Sequence, residues 1–264
     1  MKIRLADYVA DFLVSHGITD CFTVTGGGAM HLNDALGHKE GLRCTYNHHE
    51  QASAIAAEAH TRIENKIAAG CVTTGPGGTN AITGVVGGFL DSIPMLILSG
   101  QVRYDTTARG MGLGIRAGGD QEFDITKAVA SMTKYAEMIE DPRRIRYALE
   151  KAFYLATHGR PGPTWIDIPV NYQGMTIETD ELFGYDTEDA ATLAPAFSPE
   201  TGREVLSLLK AAARPVLYAG NGVRLAGGFD LFEKVVKKLN VPVVTGWDNI
   251  DMMADDDPLY VGRG

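Results

Sequence analysis

An α/β fold built on a parallel sheet follows from three features of this 264-residue sequence. Short apolar runs alternate with helical patterns from one end to the other. Glycine-rich turns separate them, and the helical stretches are about 8–14 residues long, which is the rhythm of βαβ units. Such a sheet is covered by helices on both faces.

The elements follow in order. Leu5, Val9, Phe12 and Leu13 form a helical stripe that ends at His16-Gly17, where glycine closes the last turn. Cys21-Phe22-Thr23-Val24 reads as a strand, 29–36 as a helix and Leu42-Arg43-Cys44-Thr45-Tyr46 as a strand. A helix beginning near Glu50 leads to a strand over 68–73, a helix over 79–90 and the strand Met95-Leu96-Ile97-Leu98. Between 101 and 121 the sequence is glycine-rich with no clean period, and a long irregular segment in a compact domain is more often a functional loop than filler. Asp141-Pro142 supplies an N-cap and a first-turn proline for a helix to about residue 158. Gly159-Arg160-Pro161-Gly162-Pro163 then leads into the strand Thr164-Trp165-Ile166-Asp167-Ile168.

Residues 1–173 therefore read as a first domain. Residues 174–195 lose the pattern and carry Glu178, Asp180, Glu181, Asp186, Glu188 and Asp189, the composition of a solvated linker. A second unit, 196–264, opens with a helix at Ser198-Pro199 and continues with strands over 215–219 and 241–245. Two strands and two helices do not close a doubly wound domain, so this unit reads as a partial one.

Hydrophobic residues at 45% and charged residues at 22% are ordinary for a water-exposed globular chain. A formal charge of −9 argues against a nucleic-acid or anionic-membrane surface and fits a cytoplasmic enzyme. Cys21, Cys44 and Cys71 are too far apart for a metal knuckle and odd in number, so buried structural thiols in a reducing compartment are expected. The N-terminus lacks a signal-peptide core, and no apolar run reaches the length of a membrane span.

Several turns carry candidate chemistry. Glu50 opens the alanine-rich helix of His49-Glu50-Gln51-Ala52-Ser53-Ala54 directly after a strand; a lone glutamate there merely complements the helix dipole. Gly26, Gly27 and Gly28 form a strand-to-helix turn at which a flat ring could approach the backbone, though tight turns need glycine anyway. Thr74-Gly75-Pro76-Gly77-Gly78-Thr79-Asn80 lacks the Gly-Lys-Ser/Thr ending of a phosphate loop and reads either as a turn facing a planar ligand or as a plain helix start. Gln121, in Gly118-Gly119-Asp120-Gln121-Glu122, could hydrogen-bond a keto or carboxylate group, or belong to an ordinary surface loop. Gly220-Asn221-Gly222 is a bare GxG, too weak to support a nucleotide-binding protein. His48 and His49 face a ligand or cap the helix, and the sequence does not choose.

In combination these motifs resemble the large subunit of acetolactate synthase and related thiamine diphosphate (ThDP) enzymes over essentially the whole chain. The matching stretches include Thr25-Gly26-Gly27-Gly28, His49-Glu50-Gln51-Ala52, Gly75-Pro76-Gly77-Gly78-Thr79-Asn80, Asp91-Ser92-Ile93-Pro94, Ser99-Gly100-Gln101-Val102, Gly159-Arg160-Pro161-Gly162-Pro163 and Asp167-Ile168-Pro169. The resemblance implies a pyrimidine-binding domain followed by the start of a central Rossmann-like domain, and action on a 2-keto acid by carboligation or decarboxylation. It implies that Glu50, in a mostly apolar pocket that raises its pKa, activates the coenzyme. It places Gly26, Gly27, Gly28, Thr74, Gly77 and Asn80 at the pyrimidine, and Gln121 on the substrate side.

It further implies Mg²⁺ held by a Gly-Asp-Gly…Asn motif absent from this sequence, so that no metal ligand is expected here and the chain should be inactive alone. A homodimer or homotetramer is implied, and a flavin (FAD) is possible for the family but unsupported by any motif. Two positions depart from the acetolactate synthase pattern: Asp120 stands where Phe is usual before the glutamine, and Val170 where Lys usually follows the Asp-Ile-Pro strand. Gly119-Asp120-Gln121-Glu122 and Thr133-Lys134-Tyr135 are more similar to acetolactate-synthase-like enzymes of surface-polysaccharide pathways. The alternative is a non-catalytic subunit that assembles with a separate diphosphate-domain chain.

Overall fold

The apolar runs line up as strands of a parallel sheet in the computed structural model, which describes residues 1–187 and 197–264. The chain divides into two units, Met1–Leu193 and Ala194–Gly264.

In the first unit a short strand β1 (Lys2–Arg4) precedes α1 (Leu5–Ser15), and then β2 (Asp20–Thr23), α2 (Met30–His38), β3 (Arg43–Tyr46), α3 (Glu50–Glu64), β4 (Ala68–Val72), α4 (Pro76–Leu90) and β5 (Met95–Gln101) alternate. Short helices α5 (Ala108–Met111) and α6 (Ile125–Val129) precede β6 (Tyr135–Met138), α7 (Ile145–Thr157), β7 (Pro163–Pro169) and α8 (Val170–Gln173). Six strands pair in parallel in the order β3-β2-β4-β5-β7-β6. Leu5, Val9, Phe12 and Leu13 are all buried, as the helical stripe requires, and pack with Leu32, Leu36, Leu96, Leu98, Leu149 and Ile166. Burying a side chain of this size contributes roughly 1.5–3 kcal/mol.

α3 and α4 pack against each other closely because their contact is made of small residues. A Cβ added at Gly84 would sit 2.6 Å from Ala54 Cβ and 2.7 Å from the Ile55 backbone nitrogen. The alanine-rich sequence of α3 is thus a packing surface.

The structure departs from the sequence reading at several points. β6 was not expected: it is an edge strand whose Tyr135, Ala136 and Glu137 are half-buried, so it shows no apolar run. α4 starts at Pro76, three residues early, since proline at the first helical position loses no hydrogen bond. β5 runs to Gln101 because Ser99 and Gln101 are polar yet buried. Cys21 and Cys71 are buried, but Cys44 is half-buried on the outermost strand; all three are free. Part of the expected linker is strand β8 (Thr176–Glu178), paired antiparallel with β1, so at least that part is joined to the first unit. Residues 188–196, which include the final part of the expected linker, 188–195, and residue 196 of the expected second domain, lie outside the described residues.

In the second unit α9 (Pro199–Ala211), β9 (Leu217–Ala219), α10 (Gly222–Leu225), α11 (Phe229–Leu239), β10 (Val243–Thr245) and β11 (Tyr260–Arg263) form a parallel sheet in the order β11-β10-β9. Ser198 caps α9 by accepting from the Glu200 and Thr201 backbone N–H groups. The third strand was missed because Tyr260-Val261-Gly262-Arg263 alternates without a continuous apolar run.

Candidate active site

The strand order places the candidate residues. From β2 the chain crosses outward to β3, then returns to β4 on the other side of β2. Ligands in open α/β sheets gather at the carboxyl ends of the strands where the direction of winding reverses. The turn after β2 carries Gly26 to Gly28, the turn after β3 leads to Glu50, and the turn after β4 carries Thr73 to Gly75 and leads to Gly77 in the first turn of α4. Residues far apart in sequence thereby reach one edge.

Glu50 is the first residue of α3, where the helix dipole favours its negative charge. His49 is the N-cap, its Nδ1 accepting from the Gln51 N–H at 3.1 Å, so capping is what the structure shows for that histidine. The Asn80 side-chain amide donates to Glu50 Oε2 at 2.9 Å. A Cβ at Gly77 would lie 3.5 Å from Glu50 Oε1 and against Thr73. Thr73 in turn fills the space beside Gly26 and accepts from the Gly28 N–H at 3.1 Å. Glu50, Gly77 and Asn80 are therefore together, and Gly26 and Gly28 join them through Thr73. Glu50 is half-buried in this chain rather than enclosed in an apolar pocket.

On the other side of the same turn lies a cleft of about 600 Å³, lined in part by Gly27, Gly28, Thr74 and Gln121. Asp120, Val170 and Arg103 also line it. Gln121 has a left-handed backbone, φ 58°. Gly75, φ 56°, lies directly against it, and a side chain there would collide with the Gln121 carbonyl oxygen. Gln121 thus sits at the Gly75 end of the turn and Glu50 at the Gly77 end. The Glu122 carboxylate shapes the loop by accepting from the N–H groups of Ala108 (2.7 Å), Gly118 (2.6 Å) and Gly119 (3.2 Å).

Beneath the cleft is a buried polar group that sequence reasoning missed. Ser99 Oγ donates to Asp167 Oδ1 at 2.6 Å, and Trp165 Nε1 donates to Ser99 Oγ at 2.8 Å. Gln101 Nε2 donates to Asp167 Oδ2 at 3.0 Å, and Thr74 Oγ1 donates to Gln101 Oε1 at 2.6 Å. Burial pushes the Asp167 carboxyl up to about 7, against the opposing pull of its bonds from Ser99 and Gln101. The signal was present: Ser99 and Gln101 are two apart and share a face of β5, and an Asp interrupts the apolar run of β7. Gln173 is similar, fully buried and donating to the carbonyls of Gly28 and Ile168, both at 2.7 Å.

Among the described residues no cluster of three or more His, Cys, Asp or Glu could hold a metal ion. None of the described helices is long and apolar enough to cross a membrane.

Comparison with known proteins agrees with this geometry. Residues 3–128 match the N-terminal TPP binding domain of thiamine pyrophosphate enzymes, and residues 203–264 match the central domain of the same enzymes. Two successive domains in the family's order take in well over half of the chain, which belongs to the thiamine pyrophosphate (ThDP) enzymes. Curated relatives of the chain are named acetolactate synthase, several of them as its large subunit. The protein of Lactococcus lactis is 33% identical over 235 residues, covering 87% of this chain and 38% of the relative. Isozyme 1 of Escherichia coli is 31% identical over 257 residues, covering 97% and 43%. Acetolactate synthase 1, chloroplastic, of Oryza sativa is 31% identical over 259 residues, covering 96% and 38%. The chain spans about two-fifths of the length of these curated relatives.

Proposed function

We propose that this chain supplies the pyrimidine side of a ThDP site in an acetolactate-synthase-like enzyme acting on a 2-keto acid. The observation that carries the reading is Glu50 at a helix N-terminus, held by Asn80, at the edge where the sheet reverses its winding. The residues fit the group. An aminopyrimidine needs a carboxyl at one ring nitrogen and bare backbone beside its flat face; Glu50 supplies the first, and the turn at Gly27, beside which the space is open, supplies the second. The coenzyme would supply a carbon nucleophile for the keto carbonyl and an electron sink for loss of carbon dioxide.

Each residue then has a defined task. Asn80 fixes one carboxyl oxygen of Glu50, and the other shares a proton with the ring nitrogen. Gln121, across the turn, orients the substrate's carbonyl or carboxylate by donating from its side-chain amide, while Thr74, whose proton goes to Gln101, offers the cleft only an acceptor. Mg²⁺ and the diphosphate would be held by residues other than these. A transferase or lyase outcome depends on what receives the activated carbon. Asp120 and Val170, both in the cleft wall, are the positions where that choice would be made. Assembly with a second copy is supported by Ile55, Ile63 and Leu90, which stay exposed on α3 and α4. The free thiols and negative charge fit a reducing, cytoplasmic setting.

The test is Glu50→Gln in the full-length protein, with ThDP, Mg²⁺ and pyruvate. We expect turnover to be lost while circular dichroism stays that of the wild type. Turnover equal to wild type would falsify the assignment.

A further inference from the structure

Gln101 stands at the centre of the buried polar group. A side-chain amide has two N–H donors and two oxygen lone pairs. Here all four are used. Nε2 donates to the Phe123 carbonyl at 2.9 Å and to Asp167 Oδ2 at 3.0 Å, and Oε1 accepts from Thr74 Oγ1 at 2.6 Å and from the Val102 N–H at 3.0 Å. Asp167, Ser99 and Gln101 are essentially without solvent exposure, so each bond is made away from water.

The orientation of that amide is not free. Rotating it by half a turn would set Oε1 against the Asp167 carboxylate and the Phe123 carbonyl, and Nε2 against the Val102 N–H. The Phe123 carbonyl, which can only accept, and the Val102 N–H, which can only donate, fix which amide atom faces which; at the far end of the chain of bonds the indole of Trp165 can only donate. Trp165 donates to Ser99, Ser99 donates to Asp167 Oδ1, and Asp167 Oδ2 accepts from Gln101. Thr74 has then committed its proton to Gln101, and its oxygen remains only as an acceptor for whatever occupies the cleft it lines.

Two of the four partners, Thr74 and Val102, line the cleft, and a third, Phe123, belongs to the loop that carries Gln121. Thr74 is on the turn after β4, and Phe123 is two residues from Gln121 on the facing loop. These walls touch directly at Gly75 and Gln121. Gln101 ties both from below.

We propose that Gln101 is a positioning residue: its amide, oriented by the Asp167 carboxylate, fixes the Thr74 hydroxyl and the loop bearing Gln121 in register with each other. The role rests on the reading of this cleft as the substrate side of the coenzyme site.

The test is a double-mutant cycle of Thr74→Val and Asp167→Asn in the full-length protein, assayed with pyruvate, ThDP and Mg²⁺, with peptide-level hydrogen exchange of each variant. Thr74 and Asp167 are linked here through Gln101, so their losses should overlap. Each single change is expected to raise KM for pyruvate about tenfold while the apparent affinity for ThDP stays within about threefold, and the double variant should add less than about threefold to the larger loss. Losses that multiply, or a parallel loss of ThDP affinity, would overturn the proposal.

Hydrogen exchange decides independently of turnover. In Asp167→Asn, exchange should rise about fivefold or more in both 74–77 and 118–123, with α7 unchanged. Unchanged exchange in either segment would overturn the role of Gln101 whether or not pyruvate reacts. Wild-type turnover by Glu50→Gln would remove the coenzyme reading and leave the exchange result to decide.

Discussion

The amide of Asn80 donates to Glu50 Oε2 at 2.9 Å and so joins the fifth residue of α4 to the first residue of α3. The bond therefore ties the N-terminal part of one helix to the start of the other.

Replacing Asn80 separates these contributions. Asn80→Ala should lower turnover about tenfold, the loss of one charge-assisted hydrogen bond. Asn80→Asp should cost more, because two carboxylates sharing a site hold one another protonated. Its activity should therefore depend on pH in a way that Asn80→Ala does not, and pH profiles of kcat/KM for the two variants check this.

Gly84→Val tests the packing that carries that bond. The added side chain would press on Ala54 Cβ and the Ile55 backbone at 2.6–2.7 Å, and backbone cannot yield as a side chain can. Overpacking of this kind costs about 1–3 kcal/mol. Thermal unfolding should show the melting temperature fall, with activity falling alongside because α3 and α4 both carry site residues. An unchanged melting temperature would mean the two helices separate easily.

Gly75→Ala should uncouple stability from geometry. Gly75 holds φ 56°, and a methyl group there would displace the Gln121 carbonyl. We expect KM for the 2-keto acid to rise more than tenfold, with a stability loss of about 1–2 kcal/mol. Steady-state kinetics alongside urea unfolding would show both.

Asp167 predicts a pH effect whose sign is the reverse of the usual carboxylate. Burial raises its folded pKa to about 7, above the unfolded value of about 3.9, so between these values the folded form binds the extra proton. Stability from this group therefore falls as pH rises from about 4 to about 7, then levels off. Asp124 behaves oppositely, its carboxyl held down at about 2, with hydrogen bonds from Thr126, Arg109 and Lys127 outweighing burial; its contribution is present above about 4 and lost as pH falls through 2. Comparing wild type with Asp167→Asn by urea unfolding at pH 5 and pH 8 should show the variant gaining a few kcal/mol relative to wild type at the higher pH. No relative change would mean that Asp167 keeps an ordinary carboxylate pKa.

Much of this was legible in the sequence. The stripe of Leu5, Val9, Phe12 and Leu13, the apolar run of β5 and the glycine turns after β2 and β4 each follow from local periodicity and turn chemistry. Glu50 and Asn80 were both read as site residues from motif context, but their hydrogen bond was not: 30 positions separate them, and only the packing of α3 on α4 brings them together. β6 and β8 were illegible because edge strands are half-exposed and carry mixed residues. The Asp167, Gln101 and Thr74 network left a signal, polar residues in apolar strands, but its connections were not legible. Each residue looks like a polar interruption until the register of β5 on β7 sets Ser99 beside Asp167.

One close approach bears on how this molecule can diverge. A side chain at Gly100 would run into the carbonyl of Gly28, so two bare backbones cross directly under the turn that follows β2. No larger residue is tolerated there without moving the sheet, whereas Asp120, on a loop, and Val170, at the start of α8, line the cleft. Under the proposed function, descendants of this protein would exchange the molecule they process by altering those two positions while inheriting an unaltered seat for the vitamin.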